Sequence, residues 1–179
     1  TSSGGTFNAG VIFETDSTGQ NKNTLYNLVQ HEGAHPLFTQ ITEANNGLLY
    51  GLTYLGGNYD LGILYAYNPQ TNVLNKKIDF DGANFGSKPL GSLIQANNGK
   101  LYGFTYKGGA YNKGSIFSYD VNTDSLSKHF DFDGPVAGCY PHGSLVQAAD
   151  GFLYGLTTQG GSADSGTIFR FDPATVLFT

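Results

Sequence analysis

The chain has 179 residues, a formal net charge of -5 and 13% charged side chains. Its nine Lys and Arg are scattered with no basic run, which argues against nucleic acid, because phosphate binding needs clustered cations. No stretch approaches the ~20 apolar residues of a membrane span, and 12 Tyr and 13 Phe among 26 Gly argue against disorder.

In chain order the elements recur every 52 residues. Gly-Gly pairs stand at Gly4-Gly5, Gly56-Gly57, Gly108-Gly109 and Gly160-Gly161, followed by Gly10, Gly62, Gly114 and Gly166 at a fixed offset. A period of this size predicts a propeller, solenoid or array. Residues from Gly10 to about His31 supply two strands. A unit of four strands follows from about Leu37 to Asp81, and a second from Leu90 to Asp133. In the latter, Pro89–Ala96 is strand A and Asn97–Gly99 is a hairpin turn, since Asn and Gly tolerate positive φ. Lys100–Tyr106 is strand B, and Lys107–Gly114 is a longer loop. Ser115–Asp120 is strand C, with the alternation of a half-buried strand. Val121–Asp124 is a turn, and Ser125–Gly134 is a more polar strand D. The last unit has A, B and C with a short D at Thr175–Thr179. The B strands, "LLYGLTY", "KLYGFTY" and "FLYGLTT", read as buried on both faces.

Four short strands with turn signals every ~8–12 residues are an all-β signature, and the unit length matches one kelch-like β-propeller blade. The expected organisation is a single array. Residues 1–33 form a half blade, and 34–85, 86–137 and 138–179 form three blades. Propellers close with about four to eight blades, so three and a half predict a window of a longer array or a chain that closes by association.

Repetition also sorts the candidate site residues. Strands alternate in direction, so the B–C loops and D–A connectors emerge on one face. In the B–C loops Phe7, Tyr59 and Tyr111 share one register, with Asn8, Asp60 and Asn112 beside them. A ring that stacks on sugar C–H groups, next to a polar group that takes hydroxyls, is the chemistry of a carbohydrate site. The connectors add His35, Phe85, Tyr140 and His142. The alternative is that these aromatics cap blade edges.

Other chemistries find less support. Asp79-Phe80-Asp81-Gly82 and Asp131-Phe132-Asp133-Gly134 each offer two carboxylates to calcium. The full calcium-loop pattern is absent, and alternation alone places Phe80 and Phe132 inward. His31, His35, His129 and His142 lack zinc-ligand spacing. Ser92 and Ser144 sit outside any nucleophile elbow. Cys139 is a lone cysteine, read as a small apolar residue. No metal, cofactor or catalytic constellation is assigned.

The stretch "LYGLTYLGGNYDLGILYAYNP" (Leu49–Pro69) and its copies, with connectors such as Asp81-Gly82…Pro89 before Gly91-Ser92-Leu93, resemble the GloVer tandem repeat of bacterial surface and secreted proteins. The first copy departs from the pattern, with Glu32-Gly33…Pro36 and Gln40-Ile41. The resemblance implies a kelch-like propeller on an exported or cell-surface protein, without catalytic residues. The expected function is therefore a non-enzymatic extracellular binding or adhesion module for glycans or a partner protein. A structural spacer or filament subunit, joining further blades or other copies of the chain through open strand edges, is the first alternative. A carbohydrate-active enzyme is the second.

Overall fold

A computed structural model describes residues 1–179. Strands β1 (Val11–Thr15) and β2 (Lys22–Asn27) form an antiparallel pair. Strands β3 (Thr42–Glu43), β4 (Leu49–Thr53), β5 (Ile63–Asn68) and β6 (Val73–Asp79) form an antiparallel sheet in chain order. The third sheet holds β7 (Ser87–Pro89), β8 (Ile94–Gln95), β9 (Leu101–Lys107), β10 (Ser115–Asp120) and β11 (Ser125–Asp131). The fourth holds β12 (Cys139–Pro141), β13 (Val146–Gln147), β14 (Leu153–Gln159), β15 (Ile168–Asp172) and β16 (Leu177–Phe178). A 3-10 turn at Gln30–Glu32 is the one helical element, and no helix is long and apolar enough to cross a membrane. The architecture is the all-β, propeller-like series of blades that the repeat predicts.

Strand A differs from expectation. Instead of one strand over Pro89–Ala96, two short strands flank a break. Ser87 and Pro89 pair with Lys107 and Thr105, while Ile94 and Gln95 pair with Tyr102 and Leu101. Leu90–Leu93 thus stand opposite only Gly103 and Phe104, and the extra length is absorbed at Gly91, whose φ is 112°. The break lets Leu90 and Leu93 both bury, and it frees Ser92 to reach the next blade.

The blades are joined by bonds that repeat in register. The Gln40 amide donates to Ser92 Oγ (2.7 Å), and the Ser92 amide donates to Ser144 Oγ (3.0 Å). The Asn45 amide donates to Gln95 Oε1 and the Asn97 amide to Gln147 Oε1, both at 2.9 Å. Apolar packing follows the same plan, with the core lying between blades. Tyr50, Leu52 and Leu64 pack against Phe117 and Tyr119 of the next blade. Tyr102, Phe104 and Ile116 likewise pack against Phe169 and Phe171. This is why the B strands are continuous apolar runs: each face of β4 and β9 meets a neighbouring blade. On the outward face of the last blade, Leu156 and Ile168 are exposed, whereas Phe104 and Ile116 one repeat earlier are buried.

The D strands β2, β6 and β11 each carry one extra residue opposite the same point of their C strands, at Leu25, Lys77 and His129. The bulge turns His129 inward between Tyr102 and Phe171, where Ser118 Oγ meets its Nε2 at 2.8 Å. Burial lowers the His129 pKa, so a strand that reads as polar contributes to the core edge a ring whose charged form is disfavoured.

Burial raises the phenol pKa values of Tyr65 and Tyr119, and for Tyr119 the hydrogen bond that its hydroxyl donates to the Asp124 carboxylate adds to the shift. A group whose folded pKa exceeds its unfolded value contributes stability that is complete below the unfolded pKa and is lost as pH rises toward the folded one. The denaturation midpoint is therefore expected to fall above about pH 10, the ordinary tyrosine value. The ionisation of these buried phenols, followed by absorbance, should coincide with loss of the strand signal. Full ionisation of all tyrosines in a still-folded chain would contradict it.

Candidate ligand-binding face

The four B–C loops share one internal design. The first glycine amide donates to the side chain four residues on: Gly4 to Asn8, Gly56 to Asp60, Gly108 to Asn112 and Gly160 to Asp164, at 2.8–3.0 Å. Those four acceptors all sit in the left-handed region, with φ between 51° and 55°. Asn and Asp tolerate that region because a short polar side chain bonds locally there. A second bond ties each of the first three loops to its own D strand. The amides of Thr6, Asn58 and Ala110 donate to Asn27, Asp79 and Asp131. Asn8, Asp60 and Asn112 thus have one side-chain oxygen committed to the loop, and Asp60 also accepts from Gln30 Nε2 at 2.6 Å.

Phe7, Tyr59 and Tyr111 stand differently. Their exposures are 61%, 61% and 60%. They cap no core, and the fourth loop keeps the same glycine-to-aspartate bond with Ala163 in their register. The aromatic ring is therefore not a requirement of the loop.

The connectors do emerge on this face, held by the amides of His35, Lys88 and Tyr140, which donate to the carbonyls of Ala9, Leu61 and Lys113. Phe85 packs, half-buried, against the core between the second and third blades, and its carbonyl accepts from Ser115 Oγ. It behaves as an edge cap. Tyr140 and His142 are instead drawn into a set of rings that the sequence reading only half identified. Lys88 Nζ lies over the Tyr54 ring at 5.3 Å, Tyr106 and Tyr140 are 5.2 Å apart, and Phe38 meets His142 at 5.3 Å. Tyr54 and Tyr106 were legible as the repeated last residue of strand B. Phe38 and Lys88 gave no signal in the sequence, because connectors carry no period-2 pattern.

The carboxylates near this face are occupied. Asp79 pairs with Lys76 and Asp131 with Lys128, each at 2.8 Å. Burial alone would raise the Asp81 pKa, but bonds from Asn84 and the Phe85 amide outweigh it and hold the carboxyl below its usual value. No three His, Cys, Asp or Glu side chains converge as a metal site. Cys139 is buried, and burial raises its thiol pKa away from the nucleophilic range. Two cavities lie elsewhere. A hollow of about 280 Å³ opens beside Asn98, Asp150 and Asp172 on the opposite face, and a groove of about 360 Å³ runs along Val11, Phe13 and Ile41. The loop face offers rings, hydroxyls and an ammonium group on a shallow surface.

Residues 1–179 match the model of the Gloeobacter/Verrucomicrobia repeat. No relative was found among curated proteins. Among solved structures, TolB from Acinetobacter baumannii is similar in fold, at 13% identity and a TM-score of 0.58 over 94% of this chain and 36% of that one. The tricorn protease is similar at 15% identity and a TM-score of 0.52 over 97% of this chain and 15% of that one. The chain thus spans about a third of the TolB chain's length, and these likenesses concern the fold alone.

Proposed function

The chain belongs to the Gloeobacter/Verrucomicrobia repeat family, and from that premise we propose that its loop face is an extracellular carbohydrate-binding surface. One observation carries the reading. Three aromatic rings stand in the same register, each about three-fifths exposed, on loops whose backbones are fixed without them. An exposed ring that supports no packing is available to stack on a sugar face. Repetition makes such weak sites useful, because a polymer that reaches two loops gains effective concentration at the second. The shallow relief of this face favours recognition of a chain lying across it over capture of a small molecule in a pocket.

The test is affinity electrophoresis through gels loaded with neutral and acidic polysaccharides. The wild-type chain is expected to be retarded by at least one polymer. The Tyr59→Ala/Tyr111→Ala double variant is expected to bind ~10–100-fold more weakly, from ~0.5–1.5 kcal/mol per ring and loss of the second contact. Its denaturation midpoint should not move, since neither ring is buried. Failure of the wild-type chain to be retarded by any polymer sinks the reading, as does equal retardation of the double variant.

A further inference from the structure

We infer that the loop face selects an anionic sugar chain, through Lys88 at the centre of a continuous arc of connector and strand-end residues; this rests on the carbohydrate-binding reading above. The arc follows from the strand register. The Tyr54 amide donates to the His35 carbonyl (3.1 Å), Lys88 Nζ covers the Tyr54 ring, and Lys88 lies across the β7–β9 ladder from Tyr106. The Tyr106 ring meets Tyr140, whose carbonyl accepts from Thr158 Oγ at 2.9 Å. Three blades thus contribute to one run of neighbours, joined in turn by backbone bonds, strand register and ring contacts.

His35, Lys88 and Tyr140 occupy one structural position, the residue just before Pro36, Pro89 and Pro141, and all three are left-handed, with φ of 53°, 55° and 57°. A side chain there costs roughly 1–2 kcal/mol in backbone conformation alone, and elsewhere the chain fills most such positions with glycine. Imidazole, ammonium and phenol are three different chemistries on one costly framework position. That pattern suits residues held for their side chains, because the left-handed backbone alone would be met better by glycine.

Within this arc Lys88 is the charged member. Lys76, Lys77, Lys100 and Lys128 each have a carboxylate partner, and Lys113 donates to the Asp133 carbonyl. Lys88, like Lys22 and Lys107 outside the arc, has neither, and its ammonium rests on a ring face that leaves N–H groups free for an incoming anion. A carboxylate or sulfate on a sugar chain stacked along Tyr54, Tyr106 and Tyr140 supplies that anion.

The experiment compares binding of the full chain to polygalacturonate, its methyl ester and a sulfated galactan by calorimetry, with Lys88→Met and Lys88→Arg. An anionic polymer is expected to bind about tenfold more tightly than the ester, the scale of one charge-assisted hydrogen bond. Lys88→Met should remove the preference and Lys88→Arg should keep it. The carboxylated and sulfated arms identify which anion is read. Equal binding of ester and anionic polymers overturns the inference, as does a preference untouched by Lys88→Met. If the ester still binds and Tyr59→Ala/Tyr111→Ala weakens it, the carbohydrate reading survives that failure. Absence of binding to all three polymers ends the inference, and the wider polysaccharide panel then decides the carbohydrate reading.

Discussion

Gly91→Ala is expected to prevent stable folding, whereas Gly143→Ala, the same substitution one repeat later, is expected to leave the fold intact. A β-carbon on Gly91 would lie 1.5 Å from the Gly143 carbonyl oxygen and 2.6 Å from its carbon. Those are backbone atoms, so no rotamer change relieves the overlap. The two blades would have to part, which breaks the bond from the Ser92 amide to Ser144 Oγ. The φ of 112° adds strain of its own. Together these place the cost at roughly 4 kcal/mol or more, within reach of the whole stability of a domain. At Gly143 a β-carbon meets nothing within 4 Å. There the left-handed φ alone remains, at about 1–2 kcal/mol. Urea denaturation followed by circular dichroism distinguishes the two. Equal midpoints for both variants would show that the close approach at Gly91 is not what holds these blades in register.

Phe117→Ala is expected to lower stability by about 3–5 kcal/mol, the range for emptying a buried phenylalanine site. Phe117 is fully buried, packs on Phe80 at 5.3 Å between ring centroids, and lies over Gly103 of its own blade. A β-carbon on Gly103 would come within 2.9 Å of that ring, which is why the B strand holds glycine at this point. Removing the ring leaves a void shared by two blades, and the sheets on either side are too stiff to close it. Tyr111→Ala, six residues earlier, is the control and should change stability by less than about 0.5 kcal/mol, because its ring is exposed. A loss below about 1 kcal/mol for Phe117→Ala would mean the interface relaxes into the space, and the blades would then be less closely packed than their burial indicates.

The candidate face was legible in part. Phe7, Tyr59 and Tyr111 stand out because the repeat holds the flanking glycines constant while the loop interior varies. The same comparison marked Asn8, Asp60 and Asn112 as polar partners of those rings without showing that each also closes its own loop, since repetition marks a loop-closing side chain as readily as a ligand-binding one. Local chemistry explains their role only once the left-handed φ is seen. Phe85 and Tyr140 read alike in sequence, as aromatics in connectors. One packs against the core and the other joins the arc, because Phe85 lies before β7 while Tyr140 lies within β12.

The sequence by itself determined the blade. The 52-residue period, the turn residues and the alternation of β10 are local properties, set by backbone preference and the two-residue repeat of a strand. Tertiary structure alone decided how one blade sits on the next. Gly91 and Gly143 each open the same Gly-Ser-Leu run two residues after a proline, yet one faces a carbonyl and the other open space. Lys88 and Tyr106 belong to different elements, and Tyr54 to a different blade, yet they form one surface. Such contacts depend on the rotation between blades and the break in strand A. Neither has a period along the chain, so both emerge only when the interfaces between blades are packed.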